Sequence, residues 1–143
     1  MQTHNPPDVE VLYRQDTRRA SVTGARVLMG LAAGGALAAA ARSIQVVRDA
    51  GPETLVVEIW RFAGFVLFSG LFALLAYRPL HYAGVWELVI VNKLVLTIAA
   101  LTYASDADGA GGVALVEGIL TGALLAAYLL SQGWRAWSYV APR

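Results

Sequence analysis

Glu58, Arg61, Lys93 and Glu117 are ionisable residues set inside long apolar runs, and any chemistry of this chain would centre on them. A charge in hydrocarbon is costly, so such residues face a partner, a cavity or a functional site. Glu58 and Glu117 are the candidate acid/base or cation-stabilising groups, with Arg61 and Lys93 placed to tune them and to bind. Beside them run Phe62, Phe65 and Phe72, whose ring faces suit an isomerase or cyclase that passes through a cation. The same residues admit a plainer use. Opposite charges inside a helical bundle satisfy one another and fix register, and an aromatic stripe fills a core. Glu58 and Arg61 also lie near the end of their run, where a long side chain reaches the interface at little cost.

What is missing narrows the chemistry. The chain has no cysteine, which removes disulfides, zinc–thiolate sites, iron–sulfur clusters and thiol catalysis. Its two histidines are His4 in the polar N-terminal segment and His81 in a turn, so no histidine-rich metal or haem site is expected, and no cofactor. Phosphate loops, nucleophile elbows and zinc-protease motifs are absent from the sequence. A net charge of +1 without basic tracts gives no case for nucleic-acid binding.

The residues that must position these charges are mostly apolar. Hydrophobic types make up 57% of the 143 residues, more than one soluble domain needs for its core, and the surplus implies a lipid bilayer as partner. Four runs stand out: Val22 to Val47, Leu55 to Tyr77, Leu80 to Tyr103 and Gly112 to Gly133. Each has about 20 residues or more, enough for ~30 Å of hydrocarbon at ~1.5 Å per residue. Asp49-Ala50-Gly51-Pro52, Arg78-Pro79 and the glycine-rich stretch from Ser105 to Gly112 separate them. The expectation is an all-α integral membrane protein, a four-helix up-down-up-down bundle over residues 22–137, between a polar tail over 1–21 and a short tail over 138–143. Arg14, Arg18, Arg19, Arg26, Arg78, Arg135 and Arg143 fall on one side, against Arg42 and Arg48 on the other. Both termini are therefore expected in the cytoplasm, with the protein in the plasma membrane.

Helical spacing predicts which faces turn inward. In the fourth run Glu117, Thr121, Leu124, Tyr128 and Ser131 share a face; in the third, Trp86, Ile90, Lys93 and Thr97 do, with Asn92 about 100° away. In the second, Glu58, Arg61, Phe62, Phe65, Ser69 and Phe72 form the corresponding stripe. Counting from the span ends puts Arg61 and Glu117 at one depth, so these two are expected to pair. Lys93, the sole lysine, falls near mid-membrane, too deep to snorkel, and needs a carboxylate, a wet cavity or neutrality. Asn92, Lys93, Thr121, Phe62, Phe65 and Trp86 join Arg61 as candidate binding residues around a lipophilic small molecule. Gly30 with Gly34, and Gly118 with Gly122, permit close helix contact, within the chain or in a homo-oligomer. Trp60, Trp86, Trp134 and Trp137 are expected in an interfacial belt.

The stretch "EIWRFAGFVLFSGLFALLAYRPLHYAGVWELVIVNKLVLT" resembles the DoxX-like superfamily of small four-helix membrane proteins: a glycine-containing second helix leads through a short basic turn to a polar-bearing third. The resemblance implies a four-helix bundle. Members include redox-associated subunits and, among distant relatives, sterol-handling isomerases. Cysteine-based redox roles cannot carry over, and no catalytic residue transfers position by position.

Overall fold

The computed structural model describes residues 9–105 and 109–139, with side chains over 15–105 and 109–138. His4, Asp106, Asp108 and Arg143 lie outside them. Four helices, α1 (Val9–Asp49), α2 (Leu55–Tyr77), α3 (Val85–Thr102) and α4 (Ala110–Ser131), precede a 3-10 segment, η1 (Gly133–Tyr139). All four are long and apolar enough to cross a membrane. Leu31, Leu88, Leu115, Ile119 and Leu129 each stand more than 60% exposed, a surface that suits lipid and not water. The chain is a small, all-helical membrane protein.

Local chemistry explains the boundaries. No proline or glycine interrupts the chain from Val9 to Thr23, so α1 begins within the segment read as a polar tail and runs for 41 residues. At ~1.5 Å per residue that is roughly twice the hydrocarbon thickness. Gly51 ends the first connection: its carbonyl accepts the N–H groups of Thr54 and Leu55, each at 3.0 Å, and α2 starts where its apolar run does. The α2–α3 turn consumes more chain than Arg78-Pro79 alone. It extends to Gly84, whose φ of +83° demands a residue without a Cβ, and Trp86 Nε1 donates to the Pro79 carbonyl at 2.8 Å. At the far end Gln132 takes the left-handed conformation, φ +55°, that stops α4 and turns the chain into η1.

α1 packs along α2 and α4, α3 packs along α4, and α2 touches α3 only slightly. Cross-helix bonds give the register. Ser69 Oγ donates to the Ala33 carbonyl at 3.1 Å, and Thr97 Oγ1 meets Thr121 Oγ1 at 3.2 Å. The fully buried side chains Met29, Leu75, Trp86, Val89 and Leu124 gather toward the end that carries the α2–α3 turn. There η1 closes the bundle: Trp137 Nε1 and Tyr128 Oη both donate to Glu87 Oε1, at 3.2 and 2.9 Å. Beside them Tyr128 meets Trp134 edge to face and Trp86 at a tilt. The opposite end is looser, and most of α2 from Leu55 to Arg61 has no helix covering it.

The glycine pairs divide. Gly118 lies against α3, where a Cβ would come 3.8 Å from Thr97 Cγ2, but Gly30, Gly34 and Gly122 face open space. The first pair therefore does not serve packing within this chain.

Candidate functional site

Lys93 points from the inward face of α3 toward α4, and its ammonium contacts Glu117. Nζ lies 2.9 Å from Oε2 and 3.1 Å from Oε1, yet only the longer contact has hydrogen-bond alignment. Both carboxylate oxygens thus lie within ion-pair reach of the ammonium, and Oε2 is buried against it. Both side chains are well covered, 6% and 12% exposed. On another side Nζ sits 4.2 Å from the centroid of Phe68, a cation–π contact strengthened by exclusion from water. Thr97 Oγ1 donates back to the Lys93 carbonyl at 2.8 Å, which satisfies the hydroxyl inside the helix next to its contact with Thr121.

The pair stands in the wall of a cleft of about 430 Å³. Leu28, Leu31, Ala32, Gly35, Ala36 and Ala39 of α1 form one side, Val116, Ile119, Leu120 and Ala123 of α4 another, and Phe65, Phe68 and Phe72 of α2 the interior. Near Gly24, α1 approaches α4 closely, since a Cβ there would lie 3.8 Å from Leu130 Cδ1. Further along, the small residues of α1 leave the gap. The exposed Leu31, Val116 and Ile119 mark its mouth on the apolar flank of the bundle. Lys93 and Glu117 are the two charged residues in an otherwise hydrocarbon lining.

Several candidates from the sequence stand elsewhere. The expected Arg61–Glu117 pair does not form: Arg61 Nη1 binds Glu58 Oε2 at 2.9 Å, one turn away on α2, with the Arg61 side chain 53% exposed. Its stripe does turn inward at Phe65, Ser69 and Phe72, but α2 and α3 touch only slightly and Arg61 stays exposed. Glu58 goes with it, so the two carboxylates proposed for acid/base work do not share the cleft. Asn92 is exposed, about 100° round the helix from Lys93, and Phe62 is half-buried without lining the cleft. Trp86 is fully buried in the core, neither interfacial nor a cleft residue. Thr121 is buried and joined to the Lys93 backbone carbonyl by two hydrogen bonds through Thr97.

Phe68 and the α1 wall were not among the sequence candidates. Phe68 sits three residues after Phe65 and four before Phe72, so the aromatic spacing pointed to it. Ala32, Gly35 and Ala36 carry no chemical signal of their own; they matter through the space they leave. Among the described residues no group of histidine, cysteine, aspartate and glutamate has the arrangement of a metal site. No protein-family model, curated protein or solved structure matches this chain, and the chemistry of the cleft therefore has to be argued from its own residues.

Proposed function

We propose that this membrane protein binds a lipophilic small molecule, which enters the cleft sideways from the bilayer and lies against the Lys93–Glu117 pair. The observation that carries the reading is a cleft of about 430 Å³, apolar throughout except for one buried ion pair, with a mouth on the flank of the bundle. Binding sites for small molecules combine these features: an apolar lining with few convergent polar groups. Acid/base catalysis by two carboxylates has less support, because Glu58 is engaged with Arg61 outside the cleft. Binding is thus the better reading than isomerisation. The DoxX-like resemblance is compatible with a bundle of this kind.

The arginine asymmetry supports cytoplasmic termini, an up-down-up-down path and the plasma membrane as location. A second reading, a non-enzymatic subunit that forms a homo-oligomer through α1, has one observation behind it: Gly30 and Gly34 stand exposed on α1 with open space in front of them.

Native mass spectrometry of the gently solubilised protein tests the first reading. A copurifying lipophile should appear as a discrete adduct and should vanish in Gly35→Leu, whose side chain grows into the cleft from a position with no neighbour within 4 Å. If wild type and Gly35→Leu carry the same adducts, the cleft is not the binding site.

A further inference from the structure

Among the described residues, every polar side chain of α3 is engaged except one. Trp86 donates to the Pro79 carbonyl, Glu87 accepts from Tyr128 and Trp137, and Lys93 meets Glu117. Thr97 and Thr102 return their hydroxyls to the carbonyls of Lys93 and Ile98, at 2.8 and 2.9 Å. Asn92 is the exception: it is exposed on the flank of the helix, and no described residue bonds to its side-chain amide. It stands beside Lys93, near the middle of the span Val85–Thr102. Hydrocarbon at that depth offers an amide neither donor nor acceptor, and a polar group left unpaired there is costly. The face around it has a regular pattern. Leu88, Asn92, Val95, Ala99 and Thr102 follow one another in steps of four, three, four and three, the spacing of a coiled-coil seam, and all of them are exposed.

We propose that two copies of this chain associate through this face of α3, with their Asn92 amides paired across a two-fold axis normal to the membrane. A primary amide carries two N–H donors and a carbonyl acceptor, so it is complementary to a second copy of itself. Copies inserted in the same orientation carry Asn92 at the same depth, and parallel packing of the two α3 helices brings the amides together without any shift of register. A partner of another sequence would have to carry a polar group at this one depth. Leu88 and Val95 meet their counterparts on either side of the amide pair, and the small Ala99 lets the helices approach. A lone asparagine in an apolar seam fixes both register and the number of helices. None of these residues lines the cleft, so association through α3 and binding in the cleft are separate properties.

The test uses the full chain in liposomes. Subunit counting by single-molecule photobleaching over a series of lipid dilutions should show wild-type dimers, and Asn92→Leu should dissociate about tenfold more readily, the order expected for an interhelical amide pair. Asn92→Gln, which keeps the amide, should lie between. Because the chain has no native cysteine, single cysteines report the face in contact. Under oxidation Leu88→Cys, Val95→Cys and Ala99→Cys should give disulfide-linked dimers, whereas Leu94→Cys and Leu101→Cys, exposed about half a turn round the helix, should not. In detergent, at dilutions where wild type is monomeric, Asn92→Leu should unfold no earlier than wild type, which separates lost association from lost folding. Earlier unfolding there would mean that the amide has its partner within the chain, and overturns the proposal. A wild type that is monomeric at every dilution overturns it, as does an Asn92→Leu protein that associates as tightly as wild type. Cross-linking through Gly34→Cys with none through α3 moves the interface to α1 and overturns it equally.

Discussion

Two ion pairs in this protein have the same separation, 2.9 Å, and opposite standing. Arg61 and Glu58 lie one turn apart on α2, and although the glutamate is 13% exposed the arginine is 53% exposed. Lys93 and Glu117 join two helices, with neither side chain more than 12% exposed. The first pair forms because helical spacing brings positions three apart together wherever the helix sits. The second forms only if α3 and α4 pack in one register, which places the two residues at matching distances from their connection. Distance alone therefore says little about an intramembrane charge pair. Coverage by neighbouring helices decides whether losing one member is trivial or severe.

The largest expected effect follows from breaking the covered pair. Glu117→Leu leaves the Lys93 ammonium without its carboxylate and should destabilise the protein by about 3 to 5 kcal/mol. Thermal unfolding in detergent would read this as a large fall in midpoint. Lys93→Met/Glu117→Leu removes both charges and should recover most of that loss, since an apolar replacement of a buried pair is often neutral. A double variant as unstable as Glu117→Leu alone would mean that packing, not charge, holds this position.

Smaller effects lie at the closed end and on the surface. Tyr128→Phe removes a bond to Glu87, which still accepts from Trp137, and should cost about 1 kcal/mol in the same unfolding assay. Arg61→Gln should change stability by less than about 1 kcal/mol, and less still at high salt, because the Arg61 end of the pair is 53% exposed. A loss near that of Glu117→Leu would erase the contrast between the pairs. Orientation is checked separately, without an energetic effect. Cysteines placed at the exposed Ala104 and His81 should label from opposite sides of intact cells with an impermeant reagent, Ala104→Cys from outside. Labelling of both, or of His81→Cys alone, contradicts the proposed topology.

The helices were legible because their causes are local. Apolar runs, the Gly51-Pro52 break and the Arg78-Pro79 turn lie within a few residues of what they determine, and α2 was placed over Leu55–Tyr77 from these signals. The inward faces of α3 and α4 followed as well, since a period of 3.6 residues stacks Trp86, Ile90 and Lys93, and Glu117, Thr121 and Leu124, without reference to any partner. The bounds of α3 were less legible: its start at Val85 depends on Trp86 reaching back to Pro79, a contact that exists only once the turn has folded.

The sequence by itself determined that four helices form, that they suit lipid, and that Lys93 must be accommodated deep among them. Only the tertiary structure decided by what. Depth counting suggested Arg61 as the partner of Glu117, but depth is one coordinate, and the choice between Arg61 and Lys93 depends on which helix lies beside α4. That neighbour is α3, while α2 packs chiefly along α1, so Lys93 takes the carboxylate and Arg61 turns to its own helix. The cleft has the same origin: alanine and glycine on α1 state only that little side chain is present, and whether neighbouring helices close over the space or leave it open is a property of their packing.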